Sequence, residues 1–210
     1  MNNPDSSGIG PIPMNNPEGV RMSTALTYLR AVRHRLNLTI RPNVTARSLL
    51  FDGKKAEGVE VESGGEIYLL DDDHIVLSCG DMASPQLLMW SGVGPADHLG
   101  DMGIPVVHDL PGVGQNLRDH PIVAVIGRVK DDFPQDPLAP RTQTAIRYTA
   151  TGSDHRNVMQ IFLSSVSTLL GGEPFAAEGI PLTCMVELAK SGGELRLNSM
   201  DPLELIFIHC

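Results

Sequence analysis

The stretch His74–Gly94, HIVLSCGDMASPQLLMWSGVG, decides how the 210-residue chain is read. Its first residues, Ile75-Val76-Leu77, are a short aliphatic run bounded by turn formers, the pattern of a buried strand. The strand is expected to end at Gly80. Beyond it, Ser84 can offer its hydroxyl to the free amides of a helix, and Pro85 suits a first helical position because its missing N–H has no intrahelical acceptor there. A helix is therefore expected from Ser84-Pro85 through Gln86-Leu87-Leu88-Met89-Trp90, closing near Gly92, since glycine takes the left-handed conformation common at helix ends. Strand, glycine turn and helix N-terminus bring unpaired backbone N–H groups and the positive end of a dipole to one sheet edge. Such a corner can hold a phosphate, although many α/β proteins use the same corner for packing alone.

A second glycine-bearing segment lies downstream: Leu110-Pro111-Gly112-Val113-Gly114-Gln115-Asn116-Leu117-Arg118-Asp119-His120. It is not a dinucleotide fingerprint, because Leu117 stands where the third glycine would and a proline turn precedes it. Residue types imply a tight loop that lets backbone approach a neighbour, then a polar cluster of Asn116, Asp119 and His120.

Taken together, Gly80, Ser84-Pro85, Leu87-Leu88 and Ser91-Gly92-Val93-Gly94, followed by the 110–120 segment, resemble the glucose–methanol–choline (GMC) family of flavin oxidoreductases. The first group is similar to the family's second signature, the other to its PGVGxNLxDH segment. NLTI at 37–40 and LLFDGKKAEGVEV at 49–61 extend the resemblance across roughly residues 8 to 120. Ser191-Gly192-Gly193 through Asp201-Pro202 is similar to a segment of the family's substrate domain, and the ending ELIFIHC departs from it. One further departure is Asp81, where the family usually has a small residue. A carboxylate facing a pyrophosphate would be repelled, so Asp81 is expected to point away unless the pocket is altered.

The resemblance implies an α/β FAD-binding, Rossmann-like portion followed by an α+β substrate domain with an antiparallel sheet, both incomplete. Residues 1–118 would be the C-terminal half of the FAD-binding domain and 119–210 the first part of the substrate-binding domain. It implies FAD as cofactor, a small alcohol as substrate, and hydride transfer to the flavin. Ala46, Ser78, Cys79, Gly80 and Ser84 are the positions it offers for cofactor contact. At Ala46 the family commonly has valine, whose main chain touches the adenine, and a main-chain contact survives the change to alanine. The G-x-G-x-x-G loop with which the family grips FAD does not occur here. None of the seven histidines stands in the context of the family's C-terminal catalytic base, so no catalytic residue is assigned. The chain is therefore expected to be an internal piece of a longer enzyme and to be inactive alone, the alternative being a non-catalytic binding or scaffold protein. A serine hydrolase would need G-x-S-x-G, and around Ser91 the glycines are displaced.

Composition bounds these readings. Hydrophobic residues make up 41% and charged residues 20%, as in a globular protein. The net charge of −9 argues against nucleic acid and anionic membrane surfaces as partners. No apolar run reaches the length of a membrane span, and the N-terminus lacks the pattern of a secretory signal. Cys79, Cys184 and Cys210 are odd in number and widely spaced, which fits a reducing compartment and a cytoplasmic location. Asp71-Asp72-Asp73-His74 has no second ligand cluster at a metal-binding spacing, so no metal site is assigned. From Arg21 to Lys55 eight Lys/Arg face one acid, Asp52, and a solvated face accounts for this better than a phosphate patch.

The remaining elements follow from periodicity. Residues 1–22, with four prolines, three glycines and four asparagines, read as irregular chain. Leu26, Leu29, Val32 and Leu36 imply a helix from Ser23 to Leu36 with Ser23 or Thr24 as its cap. Leu38–Arg41 reads as a parallel strand. Asn43–Phe51, Ala56–Glu62 and Ile67–Leu70, separated by glycine turns, read as a three-stranded meander. Beyond Pro121, strands are expected at 122–129, 158–163, 182–188 and after Gly193, without intervening helices, hence an antiparallel sheet.

Overall fold

The computed structural model describes residues 5–134, 136, 139–164, 168–170, 177–201 and 204–209. In chain order the elements are β1 (Gly8–Pro11), a π-helical turn (Ala25–Leu29) running into α1 (Arg30–Val32), β2 (Thr45–Asp52), β3 (Lys55–Ser63), β4 (Glu66–Asp71), α2 (Gly80–Trp90), β5 (Val93–Gly94) and α3 (Ala96–Asp101). There follow β6 (His108–Asp109), β7 (Gln115–Leu117), β8 (Ile122–Gly127), β9 (Thr142–Tyr148), β10 (Met159–Ser164), β11 (Thr168–Leu170), β12 (Ala177–Val186), β13 (Gly193–Arg196) and β14 (Phe207–His209). They form two compact units, one of Met1–Arg35 with Asp119–Ala189, the other of Leu36–Arg118 with Lys190–Cys210. The chain thus passes from one unit to the other after Arg35, after Arg118 and after Ala189.

In the second unit the meander forms as the glycine turns dictate. β2 pairs antiparallel with β3 and β3 with β4, and Gly53 (φ +58°), Gly64 (+60°) and Gly65 (+83°) take left-handed conformations at the two reversals. Alternation turns Leu49 and Val61 inward. The core beside it is built on α2, whose Met89 packs with Leu99, Ile104, Val113 and Leu197, all buried. Burying one such side chain contributes about 1.5–3 kcal/mol. Two side chains of α2 hold the returning chain, the Trp90 indole donating to Ser199 O (3.2 Å) and Gln86 Nε2 to Glu204 O (3.2 Å). At the end of α2 the Ser91 hydroxyl donates to Leu87 O (2.6 Å) and accepts the N–H of Leu49 (2.8 Å), joining helix to meander. Gly92 follows at φ +80°, the expected helix end.

Three expectations are corrected here. Residues 74–78 are in no strand, and Val76 is 85% exposed. A strand needs a neighbour, and among the described residues none lies alongside this run. Ile75 and Leu77 instead turn into an apolar cavity of about 270 Å³ with Leu49, Phe51, Leu88 and Val93. Leu38–Arg41 is likewise in no strand, for the same lack of a ladder. Finally α2 begins at Gly80, not at Ser84-Pro85: Gly80 enters at φ +88°, and Ser84 Oγ accepts the N–H of Cys79 (3.1 Å), folding the first turn onto its own start.

The first unit carries the antiparallel sheet, ordered β1-β9-β10-β12-β11 with β8 on β12. Ile161 stands between Ile146 of β9 and Cys184 of β12, and Cys184 faces Val123 of β8. Residues 8–11, expected to be irregular, form β1 against β9, itself unforeseen. With one aliphatic residue in GIGP, pairing context decided what local preference could not. Asn157, 2% exposed, ties the N-terminal arm by donating from Nδ2 to Ser6 O (3.0 Å), and Arg156 pairs with Asp5 (2.8 Å). The 23–36 helix is shorter than its periodicity implies, starts as a π turn and buries no residue.

Candidate functional site

The cavity of interest lies in the second unit, where the first turns of α2 face the glycine loop. About 500 Å³ in volume, it is lined by Asp81, Ser84, Pro85 and Leu88 of α2, by Gly112–Arg118, and by Leu195 of β13. The loop has the tightness its glycines require. Val113 N–H bonds to Leu110 O (3.1 Å) and Gln115 N–H to Gly112 O (3.2 Å). Gly114 has φ +79°, and a Cβ there would stand 2.5 Å from Leu195 O. Leu195 N–H donates to Gly114 O at 2.6 Å, and Gln115 Nε2 to Glu194 Oε2 at 3.2 Å, so β13 backs the loop. Asn116 takes φ +61° and its Oδ1 accepts from Arg118 Nε (3.2 Å).

The first amides of an eleven-residue helix have no intrahelical acceptors and carry the positive end of its dipole. Together with Arg118 on the facing loop they favour an anion at the α2 wall. Asp81 lies on the same wall and opposes it.

Of the five sequence-derived cofactor positions, Ser84 lines the cavity, and Ser78, Cys79 and Gly80 lead into it as the entry to α2, exposed and joined to Ser84 through the Cys79 N–H. Ala46 sits on β2 opposite Val61 and is not on this wall. Asp119 Oδ1 accepts His120 N–H (2.7 Å), and His120 Nδ1, 3.2 Å from Val186 O, must carry the proton since a carbonyl only accepts. Asp72 Oδ1 accepts the N–H of His74 (3.1 Å), closing a local turn. Ser91 is 7% exposed with its hydroxyl engaged twice, as a structural serine.

Sequence reasoning missed His98. It is 8% exposed on α3, and its Nε2 accepts the N–H of Leu197 (2.9 Å). Burial, and then Arg196, hold its pKa below the ordinary histidine value, with Asp101 and Glu194 acting the other way. Nothing in the linear spacing of 98 and 197 announces that contact.

A glycine-entered helix thus faces a glycine loop over an open cavity. The GMC oxidoreductase family matches residues 1–122, and the chain belongs to that family. It is 35% identical over 201 residues to an uncharacterized GMC-type oxidoreductase of Rhodococcus erythropolis, covering 96% of this chain and 39% of that protein. It is 47% identical over 114 residues to the oxygen-dependent choline dehydrogenase of Photobacterium profundum, covering 54% of this chain and 20% of that one. Among solved structures, pyridoxine 4-oxidase from Mesorbium loti superposes with a TM-score of 0.81 at 26% identity, over 96% of this chain and 41% of that one. The chain thus spans about two fifths or less of these relatives' length. FAD is the cofactor that goes with the family. The amides of α2, the Ser84 hydroxyl and Arg118 fit one flank of such a dinucleotide, with Asp81 as the discordant group. Among the described residues no helix is long and apolar enough to cross a membrane.

Proposed function

We propose that this chain supplies part of the FAD site of a GMC-type enzyme that oxidises the CH–OH group of a small alcohol to an aldehyde. When bound, FAD supplies the hydride acceptor. The observation that carries the reading is the shared cavity of α2 and the Gly112–Arg118 loop. In it the α2 amides and Arg118 hold anionic oxygens, Ser84 and the Ser78–Gly80 entry shape the approach, and Gly114 lets the loop come close to β13. Ala46 would add a main-chain contact from the meander. By sequence, residues 1–118 belong to the FAD-binding part and 119–210 to the substrate part. Choline-like alcohols are the substrate class that the choline dehydrogenase relative supports. A cytoplasmic location is the accompanying expectation.

Proton abstraction needs a positioned base, and the sequence offers no histidine in the family's catalytic context. The 210 residues alone are therefore expected not to turn over. The test is to titrate the purified chain with FAD and follow quenching of flavin fluorescence, then add choline or an aryl alcohol. Saturable quenching without aldehyde is the expected result; no quenching contradicts the cofactor site, and aldehyde contradicts the missing base. A non-catalytic binding protein would give neither signal.

A further inference from the structure

Just past β13, which forms one wall of the cavity, the chain is tied to α3 by a buried imidazole. With Nε2 accepting the N–H of Leu197 at 2.9 Å, the one proton of a neutral His98 ring resides on Nδ1. That nitrogen stands 3.3 Å from Arg196 Nη2, which has only protons to offer. Two donors face each other there, so this second contact is tolerated and not a bond. A second ring proton would occupy Nε2, remove the acceptor from the Leu197 amide and place a cation beside the Arg196 guanidinium. The charged groups acting on the ring are Arg196 and Glu194 of β13 and Asp101 of α3. Both carboxylates favour the proton and the arginine opposes it.

Leu197 directly follows β13, and β13 is the strand that shapes the glycine loop. Leu195 donates to Gly114 O at 2.6 Å, and β13 pairs with β7 at Gly193↔Leu117 and Glu194↔Gln115. Four of these residues, Gly114, Gln115, Leu117 and Leu195, line the cavity. We propose that His98 is a positioning residue for this cavity: its neutral ring fixes β13 through the Leu197 amide, and protonation of the ring releases β13 and loosens the glycine loop. The inference relies on the cofactor reading only for what the cavity holds, and its geometry stands without flavin.

The test is amide hydrogen exchange on the flavin-free 210-residue chain between about pH 7.5 and pH 5, corrected for intrinsic rates, in wild type, His98→Gln and His98→Leu. In wild type the protection of Leu195 and Leu197 falls about tenfold across the range. The midpoint of the fall coincides with the NMR titration of the His98 ring. His98→Gln carries an amide oxygen where Nε2 was and does not titrate, so its protection stays flat with pH. His98→Leu is unprotected throughout, and if it fails to fold the other two proteins still decide. Wild-type protection that ignores the ring's titration, or a fall of equal size in His98→Gln, overturns the proposal. Because no flavin is present, a failed FAD titration leaves this result untouched.

Discussion

Ser91 Oγ lies 2.8 Å from the backbone nitrogen of Leu49, 42 positions earlier, and joins the end of α2 to the middle of β2. Both groups are buried, so replacing Ser91 by Ala strands the Leu49 N–H away from water. An unsatisfied buried donor costs about 1–3 kcal/mol. Ser91→Ala should lower unfolding free energy by that amount in urea titration, with an unchanged m-value. A loss within error of zero would mean that the hydroxyl bridge is not formed.

The glycine loop gives a paired prediction. Gly114 is left-handed, and a Cβ would press on Leu195 O at 2.5 Å, whereas Gly112 has open space around it. Gly114→Ala should therefore destabilise by about 1–3 kcal/mol, the cost of holding a non-glycine residue in strained backbone. Gly112→Ala should change stability by no more than about 0.5 kcal/mol. Equal thermal midpoints for the two variants would refute the loop conformation.

His98 sets a pH dependence of stability. Its folded pKa lies below the ordinary value of 6.5, so the unfolded chain binds the proton more readily. The contribution to stability is full above about pH 6.5 and is lost as pH falls through the folded value. Urea midpoints measured at several pH values should converge between wild type and His98→Leu as the solution is acidified. A gap that widens on acidification would give the shift the opposite sign.

Asp81 and Arg118 line the same cavity with opposite charge. Asp81→Asn should tighten FAD binding and Arg118→Ala weaken it, each about fivefold to tenfold at low salt and less at high salt. Isothermal titration checks both, and equal affinities for the two variants would remove the electrostatic account of the wall.

Local chemistry made the meander and the end of α2 legible, because Gly53, Gly64-Gly65 and Gly92 supply the left-handed backbone that tight reversals and helix ends need. The α2 start misled because Ser84-Pro85 carries a helix-start signature, while the positive φ of Gly80 has no mark in the sequence. Ile75-Val76-Leu77 has strand composition, but pairing depends on a neighbour that composition does not reveal. At the site, Ser84 and the Gly112–Gly114 loop were recognisable from their family motifs. Leu195, Leu197 and His98 were not, since their link spans about a hundred residues and carries no periodic signal.

The central claim is that flavin lies against the α2 entry and the glycine loop. Its most direct measurement is an amide shift map of the isotope-labelled chain titrated with FAD. The account predicts saturable shifts at Gly80–Ser84 and Gly112–Arg118, with Ala46 moving only through the adenine. Shifts confined to other residues, or none on reaching millimolar FAD, would contradict it.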